Sequence, residues 1–309
     1  MITAEGLRKV YGNKAAVDDL SFDVHPGVVT GFLGPNGAGK STTMRLMLGL
    51  DRGEGTALFD GRPFRDIQRP MREVGAVLEA KAFHPTRSAR NHLRMLAAAN
   101  DIPRSRIDEV FELVGLTDVR NAKPRGFSLG MAQRLGLAQA LLGDPQYLIL
   151  DEPANGLDPH GIQWLRDVLK SLASGGRTIF VSSHLLAEMA QMADELVVIG
   201  RRQMIASGPV SSFVSQFTHS TVVVRGPALD PLIASLRDAD AQVTSEPDGA
   251  LVVEGVDAAS IGERAHQVGV VLHELSPRSA SLEQAFLSAT GASEEFVGAV
   301  TGDMSGGTR

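Results

Sequence analysis

The sequence predicts an α/β protein: a largely parallel central sheet with a helical insertion, followed by a small α+β unit. Three observations lead there. From Ile2 to about Gly208, short apolar runs alternate with stretches of helical period, the pattern of strands covered on both faces. Between about 85 and 143 the helical period continues without strand-like runs. After Gly208 the order becomes strand, helix, strand, strand, helix, strand.

Taken in order, residues 28–33, 147–150, 178–181 and 196–199 are apolar runs of strand length and read as buried strands. The insertion is predicted to hold helices at 89–99, 107–114 and 131–142. Beyond Gly208, a strand at 221–224 precedes a helix at 231–237. A hairpin at 241–254 turns at Pro247-Asp248-Gly249, where proline, aspartate and glycine suit a tight turn. A helix at 261–268 and a strand at 270–275 complete a βαββαβ order, which matches a ferredoxin-like unit. A last helix is expected at 281–289, and the tail from Gly291, rich in Gly, Ser and Thr, reads as disordered. The expected organisation is a first domain over 1–210, a second over 218–290 and a tail over 291–309.

Composition narrows the function. A chain of 309 residues suggests two domains. The formal net charge of −6 argues against a general nucleic-acid binder, which needs a basic surface to displace counterions. With no cysteine, disulfides and thiolate metal sites are excluded. The first residues lack a basic segment followed by an apolar core, so no signal peptide is expected. No apolar run approaches the ~20 residues of a membrane span. A membrane role is therefore expected to come through a partner.

Chemistry enters at Gly34-Pro35-Asn36-Gly37-Ala38-Gly39-Lys40-Ser41-Thr42, which follows a strand and opens a helix. The spacing is that of a P-loop: glycines let successive backbone N–H groups curl around phosphate oxygens, and the helix adds its positive end. Lys40 is expected to reach the β- and γ-phosphates, and the Ser41 hydroxyl to ligate Mg²⁺. Strand 147–150 ends in Asp151-Glu152. Asp151 suits the magnesium shell, and Glu152 suits a general base acting on water. Taken alone, two acids at a strand end are equally a strand meeting solvent; the P-loop favours the chemical reading.

Further residues carry a resemblance. Ser128-Leu129-Gly130-Met131-Ala132-Gln133-Arg134 resembles the signature motif of ATP-binding cassette (ABC) ATPases, usually L-S-G-G-Q. Glu152 to Asp158 is similar to that family's D-loop, His184 to its switch histidine, and Tyr11 to its adenine-stacking aromatic. Individually, Ser128 also reads as a helix N-cap, His184 as a structural histidine and Tyr11 as a packing residue. Leu129 and Met131 depart from the signature, and Glu79 stands where the family has its Q-loop glutamine. These departures resemble the bacitracin- and drug-exporter subgroup, as do Phe83-His84-Pro85, 182–186 and 281–287.

The resemblance implies a P-loop NTPase cassette with a helical subdomain, plus the small C-terminal domain, in an ATPase that uses ATP and Mg²⁺. It assigns Tyr11, Gly34 to Thr42 and, in trans, Ser128 and Gly130 to ATP; Ser41, Asp151 and Glu79 to Mg²⁺; Glu152 and His184 to catalysis; and Asp158 to the dimer contact. It further implies a homodimer of cassettes on the cytoplasmic face of the membrane. The pair would drive multi-span permease chains, most simply for drug or antibiotic export. Two other classes stay open: a soluble ABC ATPase acting without transport, and a nucleotide-sensing binding module.

Overall fold

In the computed structural model, residues 1–79, 83–84, 86–217, 221–239, 241–246, 248–278, 282, 285, 286 and 289 are described. Among these residues the strands gather into three sheets. The chain opens with β1 (Ile2–Tyr11) and β2 (Lys14–Val24), then β3 (Val29–Leu33), α1 (Lys40–Met47), β4 (Glu54–Phe59), β5 (Arg62–Pro63), α2 (Pro70–Glu73) and β6 (Val74–Val77). The insertion supplies α3 (Ala89–Ala99), α4 (Ser105–Leu113) and α5 (Leu129–Leu141). Then come β7 (Tyr147–Leu150), α6 (Pro159–Ser174), β8 (Thr178–Ser183), α7 (Leu186–Met192), β9 (Glu195–Gly200), β10 (Gln203–Pro209) and α8 (Val210–Phe217).

The central sheet has the order β10-β9-β3-β8-β7-β6. Its β9, β3, β8, β7 and β6 run parallel, and β10 is antiparallel at one edge. All five residues of β3 and all four of β7 are buried. That is the burial expected of near-continuous apolar runs. At Gly31 in β3, a Cβ would collide with the Met189 side chain of α7, so glycine lets that helix lie close to the sheet.

Sequence reasoning did not anticipate the second sheet, β2-β1-β4-β5, whose strands pair antiparallel. Its strands are half-exposed and bulged, with register shifts in both pairings of β1, so no clean period marks them. The two sheets pack through Phe22, Phe32 and Phe180, whose ring centroids lie 4.9 to 5.8 Å apart. A separate core on the other face of the central sheet joins the insertion (Leu93, Phe111, Leu135) to α6 and β8 (Leu165, Leu169, Val181).

Past α8, β11 (Thr221–Arg225), α9 (Asp230–Arg237), β12 (Gln242–Ser245), β13 (Leu251–Glu254), α10 (Ala258–Gln267) and β14 (Glu274–Arg278) follow. They form an antiparallel sheet in the order β12-β13-β11-β14 with its own core around Val222, Leu232, Leu236, Val253 and Ile261. The strand expected at 270–275 lies later, at Glu274–Arg278, because the ladder with β11 begins at Arg225–Glu274. Val270 and Leu272 pack against the core ahead of the ladder, while Val271 is exposed, which imitates strand alternation. The helix expected at 281–289 falls mostly outside the described residues; Leu282, Ala285, Phe286 and Ala289 are helical and join the insertion-side core of the central sheet. The tail at 291–309 and the turn residue Pro247 lie outside the described residues.

Candidate functional site

Four neighbouring parallel strands deliver the site at their C-terminal ends, where open α/β sheets hold ligands. The Gly34 loop follows β3, His184 follows β8, Asp151 and Glu152 follow β7, and Glu79 follows β6 by two residues. Chain segments more than a hundred residues apart thus meet on one edge.

The loop from Gly34 to Gly39 is a backbone cradle. Gly37 and Gly39 have φ of 79° and 106°, the left-handed region open to glycine. A Cβ on Gly39 would also strike the Ala16 carbonyl oxygen. Helix α1 begins at Lys40 with no side-chain cap, leaving first-turn amides to another acceptor. Gly34 and Ala38 are buried, Pro35, Gly39 and Thr42 half-buried, and Asn36, Gly37 and Ser41 exposed. The Lys40 ammonium donates to the carbonyls of Gly34 at 2.7 Å and Pro35 at 3.4 Å, and lies 3.6 Å from Glu152 Oε1. Burial pushes its pKa below the ordinary lysine value, and the charges of Glu152 and Asp151 offset part of that.

Glu152 sits at φ 49°, a left-handed conformation that non-glycine residues seldom adopt, at the turn leaving β7. Its Oε2 lies 2.8 Å from His184 Nδ1. The Ser182 hydroxyl donates to Asp151 Oδ1, and its oxygen accepts from the Glu152 N–H at 2.9 Å. Sequence reasoning missed Ser182 as a site residue, although it stands two positions before His184. It also missed Gln133, whose Nε2 donates to the carbonyls of Glu152 at 3.3 Å and Asn155 at 3.2 Å. Neither role has a local signal, since each depends on a partner about twenty to thirty positions away. Glu188 was also missed; burial raises its pKa above the carboxylate norm, which His184 opposes and Glu152 reinforces.

The other anticipated residues lie around this centre. Tyr11 is 52% exposed; its hydroxyl donates to Asp51 Oδ2 at 3.0 Å, and the Lys9 ammonium lies over its ring, 4.8 Å from the centroid. Glu79 is exposed. Ser128 caps α5, its oxygen accepting from the Met131 N–H at 3.2 Å, which is the N-cap reading of that residue. Gly130 lies against the Gly156 carbonyl. No hydrogen bond or ion pair among the described residues joins Ser128 or Gly130 to their own Lys40 loop. Asp158 caps α6, accepting from the Gly161 N–H at 2.8 Å. None of the described helices is long and apolar enough to cross a membrane.

This arrangement has counterparts among known proteins. The ABC transporter family matches residues 17–155, and a domain of unknown function, DUF8746, matches residues 220–283. The chain is 36% identical to the uncharacterised ABC transporter ATP-binding protein YdbJ of Bacillus subtilis, over 94% of this chain and 96% of the relative. It is 41% identical to the bacitracin transport ATP-binding protein BcrA of Bacillus licheniformis, over 68% of this chain and 70% of the relative. A solved ATP-binding subunit of an ABC transporter superposes with a TM-score of 0.65 at 27% identity, covering 77% of this chain and 99% of that one. A P-loop closed by strand-end acids, in a chain aligned nearly end to end with an ABC ATP-binding protein, places this protein among the ATP-binding subunits of ABC transporters, in the subgroup that contains the bacitracin transport proteins.

Proposed function

We propose that this chain hydrolyses ATP to power an exporter of drugs or antibiotics, as one of two identical cassettes on the cytoplasmic face of the membrane beneath multi-span permease chains. The observation carrying the catalytic part is the convergence of Lys40, Glu152 and His184: Glu152 places one carboxylate oxygen 3.6 Å from the ammonium and the other 2.8 Å from the imidazole. In this reading Glu152 polarises the attacking water, held at its angle by the strained turn and by His184. Lys40 is fixed at the centre of the cradle, where β- and γ-phosphate oxygens would take its charge. The exposed ring of Tyr11 is offered to the adenine.

The residues fit a magnesium ion that shares its shell with phosphate, since Ser41 and Asp151 are hard oxygen donors. The metal would neutralise charge on the transferring phosphoryl group. Ser182 would hold the Asp151 carboxylate toward it, and Glu79 is proposed as a further ligand, anionic where the family has a neutral amide. Ser128 and Gly130, detached from their own loop, are assigned to the γ-phosphate held by a second cassette, with Asp158 at the contact.

The permease is assigned to an apolar groove of about 490 Å³ between the β6 edge of the sheet and the insertion. Leu48, Leu50, Phe64, Met71 and Leu78 line it, together with Glu79. Export of an antibiotic is supported by the bacitracin transport relative. The proposed organisation is a cassette over 1–210, an accessory regulatory unit over 218–290, and a tail over 291–309.

The test is Glu152→Gln. It should keep ATP binding, hydrolyse at least ~10²-fold more slowly, and accumulate as an ATP-bound dimer in size-exclusion chromatography. Turnover near that of the wild type would remove Glu152 from the base role. Wild-type chain without measurable turnover would point instead to a nucleotide-sensing module, and failure to co-purify a multi-span protein to a soluble ATPase.

A further inference from the structure

We propose that the helical insertion binds the phosphate headgroup of an anionic phospholipid. Nine arginines and lysines stand against five acids between residues 86 and 142, in a chain whose net charge is −6. The positive charge is therefore concentrated in the insertion, while the rest of the chain is net acidic. A cup of about 550 Å³ between α3 and the start of α4 collects much of it, lined by Arg90, Arg94, Arg104, Ser105, Asn91 and Asn121 among others. Its single acid, Asp108, is paired with Arg90 at 3.0 Å. Among the described residues, Arg94 donates only to Asn91 Oδ1, at 3.4 Å, and Arg104 has no ion-pair partner. Two guanidinium groups, a hydroxyl and two amides around one concavity form a donor set suited to a phosphate monoanion.

A lipid is favoured over free phosphate by the neighbouring cup. That second concavity, about 680 Å³, shares Asn91, Arg94 and Arg104 and adds Arg87 and one acid, Asp101, together with apolar Met95, Ala98 and Ile102. The arginines thus stand between a polar cup and one with apolar lining, which matches the headgroup and the start of the acyl chains of one amphiphile. The position agrees. Arg72, next to the groove residue Met71, donates to the carbonyls of Asn100 and Asp101, and Asp101 lines the second cup. The cups therefore adjoin the groove assigned to the permease. Their facing the bilayer rests on that assignment.

The test uses the full chain and co-sedimentation with vesicles. Vesicles of phosphatidylcholine mixed with phosphatidylglycerol should bind it, with an affinity that falls as salt rises, and vesicles of phosphatidylcholine alone should not. Arg94→Gln with Arg104→Gln should lower vesicle affinity about 25-fold, at about fivefold for each lost cation near an anionic surface. ATP turnover and the thermal midpoint should stay at wild-type values, which separates the site from a folding defect. Unchanged vesicle binding by the double variant, or equal binding to neutral vesicles, would overturn the proposal. So would complete displacement by millimolar inorganic phosphate at constant ionic strength, which identifies a free-phosphate site. Absence of any vesicle binding would also overturn it and leave an acidic protein surface as the occupant. ATP turnover, read in parallel, reports separately on the transporter reading: binding without turnover sinks that reading alone, and turnover without binding sinks the lipid site alone.

Discussion

Lys40 carries its ammonium into a buried place beside two carbonyls and Glu152. Its side chain is 7% exposed, and burial lowers its pKa although Glu152 and Asp151 oppose the shift. The sign of the consequence follows from linkage. Between the depressed folded value and the ordinary lysine value, the unfolded chain carries more protons than the folded one, so folding stability contributed by this residue rises with pH. Below the folded value the burial cost is fully present. We therefore expect the stability of the wild type, relative to Lys40→Met, to rise with pH across the alkaline window below the normal lysine pKa. Urea unfolding of both proteins along a pH series measures it, and a difference that stays flat would mean that the ammonium is effectively solvated. A bound polyphosphate would favour the charged form and so oppose the effect of burial on this residue. Glu152 shows a similar trade: its left-handed backbone is held by neighbours, with Ser182 accepting its N–H and Gln133 donating to its carbonyl.

At the scale of elements, α5 connects the insertion to the rest of the chain. Ser128 caps its start, Gln133 reaches the loop after β7, and Arg134 both donates to the Val114 carbonyl at 3.0 Å and lies 4.2 Å from the Trp164 ring centroid. A movement of α5 is thus felt at the site and at α6. The cap and the proposed trans role of Ser128 can be separated. Ser128→Arg should cost about 1 kcal/mol of stability through the lost cap and should leave ATP affinity of the single chain unchanged. It should remove ATP-dependent dimerisation and turnover. Analytical ultracentrifugation with and without ATP, beside a binding titration, decides this; an affinity loss as large as that of Lys40→Ala would place Ser128 in its own chain's site.

At the level of the whole molecule, the polypeptide returns to the insertion-side core after the C-terminal sheet. Leu282 and Ala285, beyond the C-terminal sheet in sequence, are buried in the same core as Leu93, Leu169 and Phe213. Leu282→Ala should therefore cost about 2–5 kcal/mol and lower the unfolding midpoint of the ATP-binding part, with nucleotide affinity retained in the folded protein. A midpoint shift confined to the C-terminal unit, followed by residue-resolved hydrogen exchange, would contradict that core assignment. The P-loop, the acids after β7, the buried strands of the central sheet and the helices of the insertion were legible in the chain alone. In each case the signal lies within a few consecutive residues: glycine spacing, an apolar run, a helical period. The fold in three dimensions was needed to see the β2-β1-β4-β5 sheet, the grip of Ser182 and Gln133 on the acidic turn, the later start of β14 and the return of Leu282 to the insertion-side core. Those features depend on partners far away in the chain, and a bulged edge, a hydroxyl or a single leucine has no local period that names its partner.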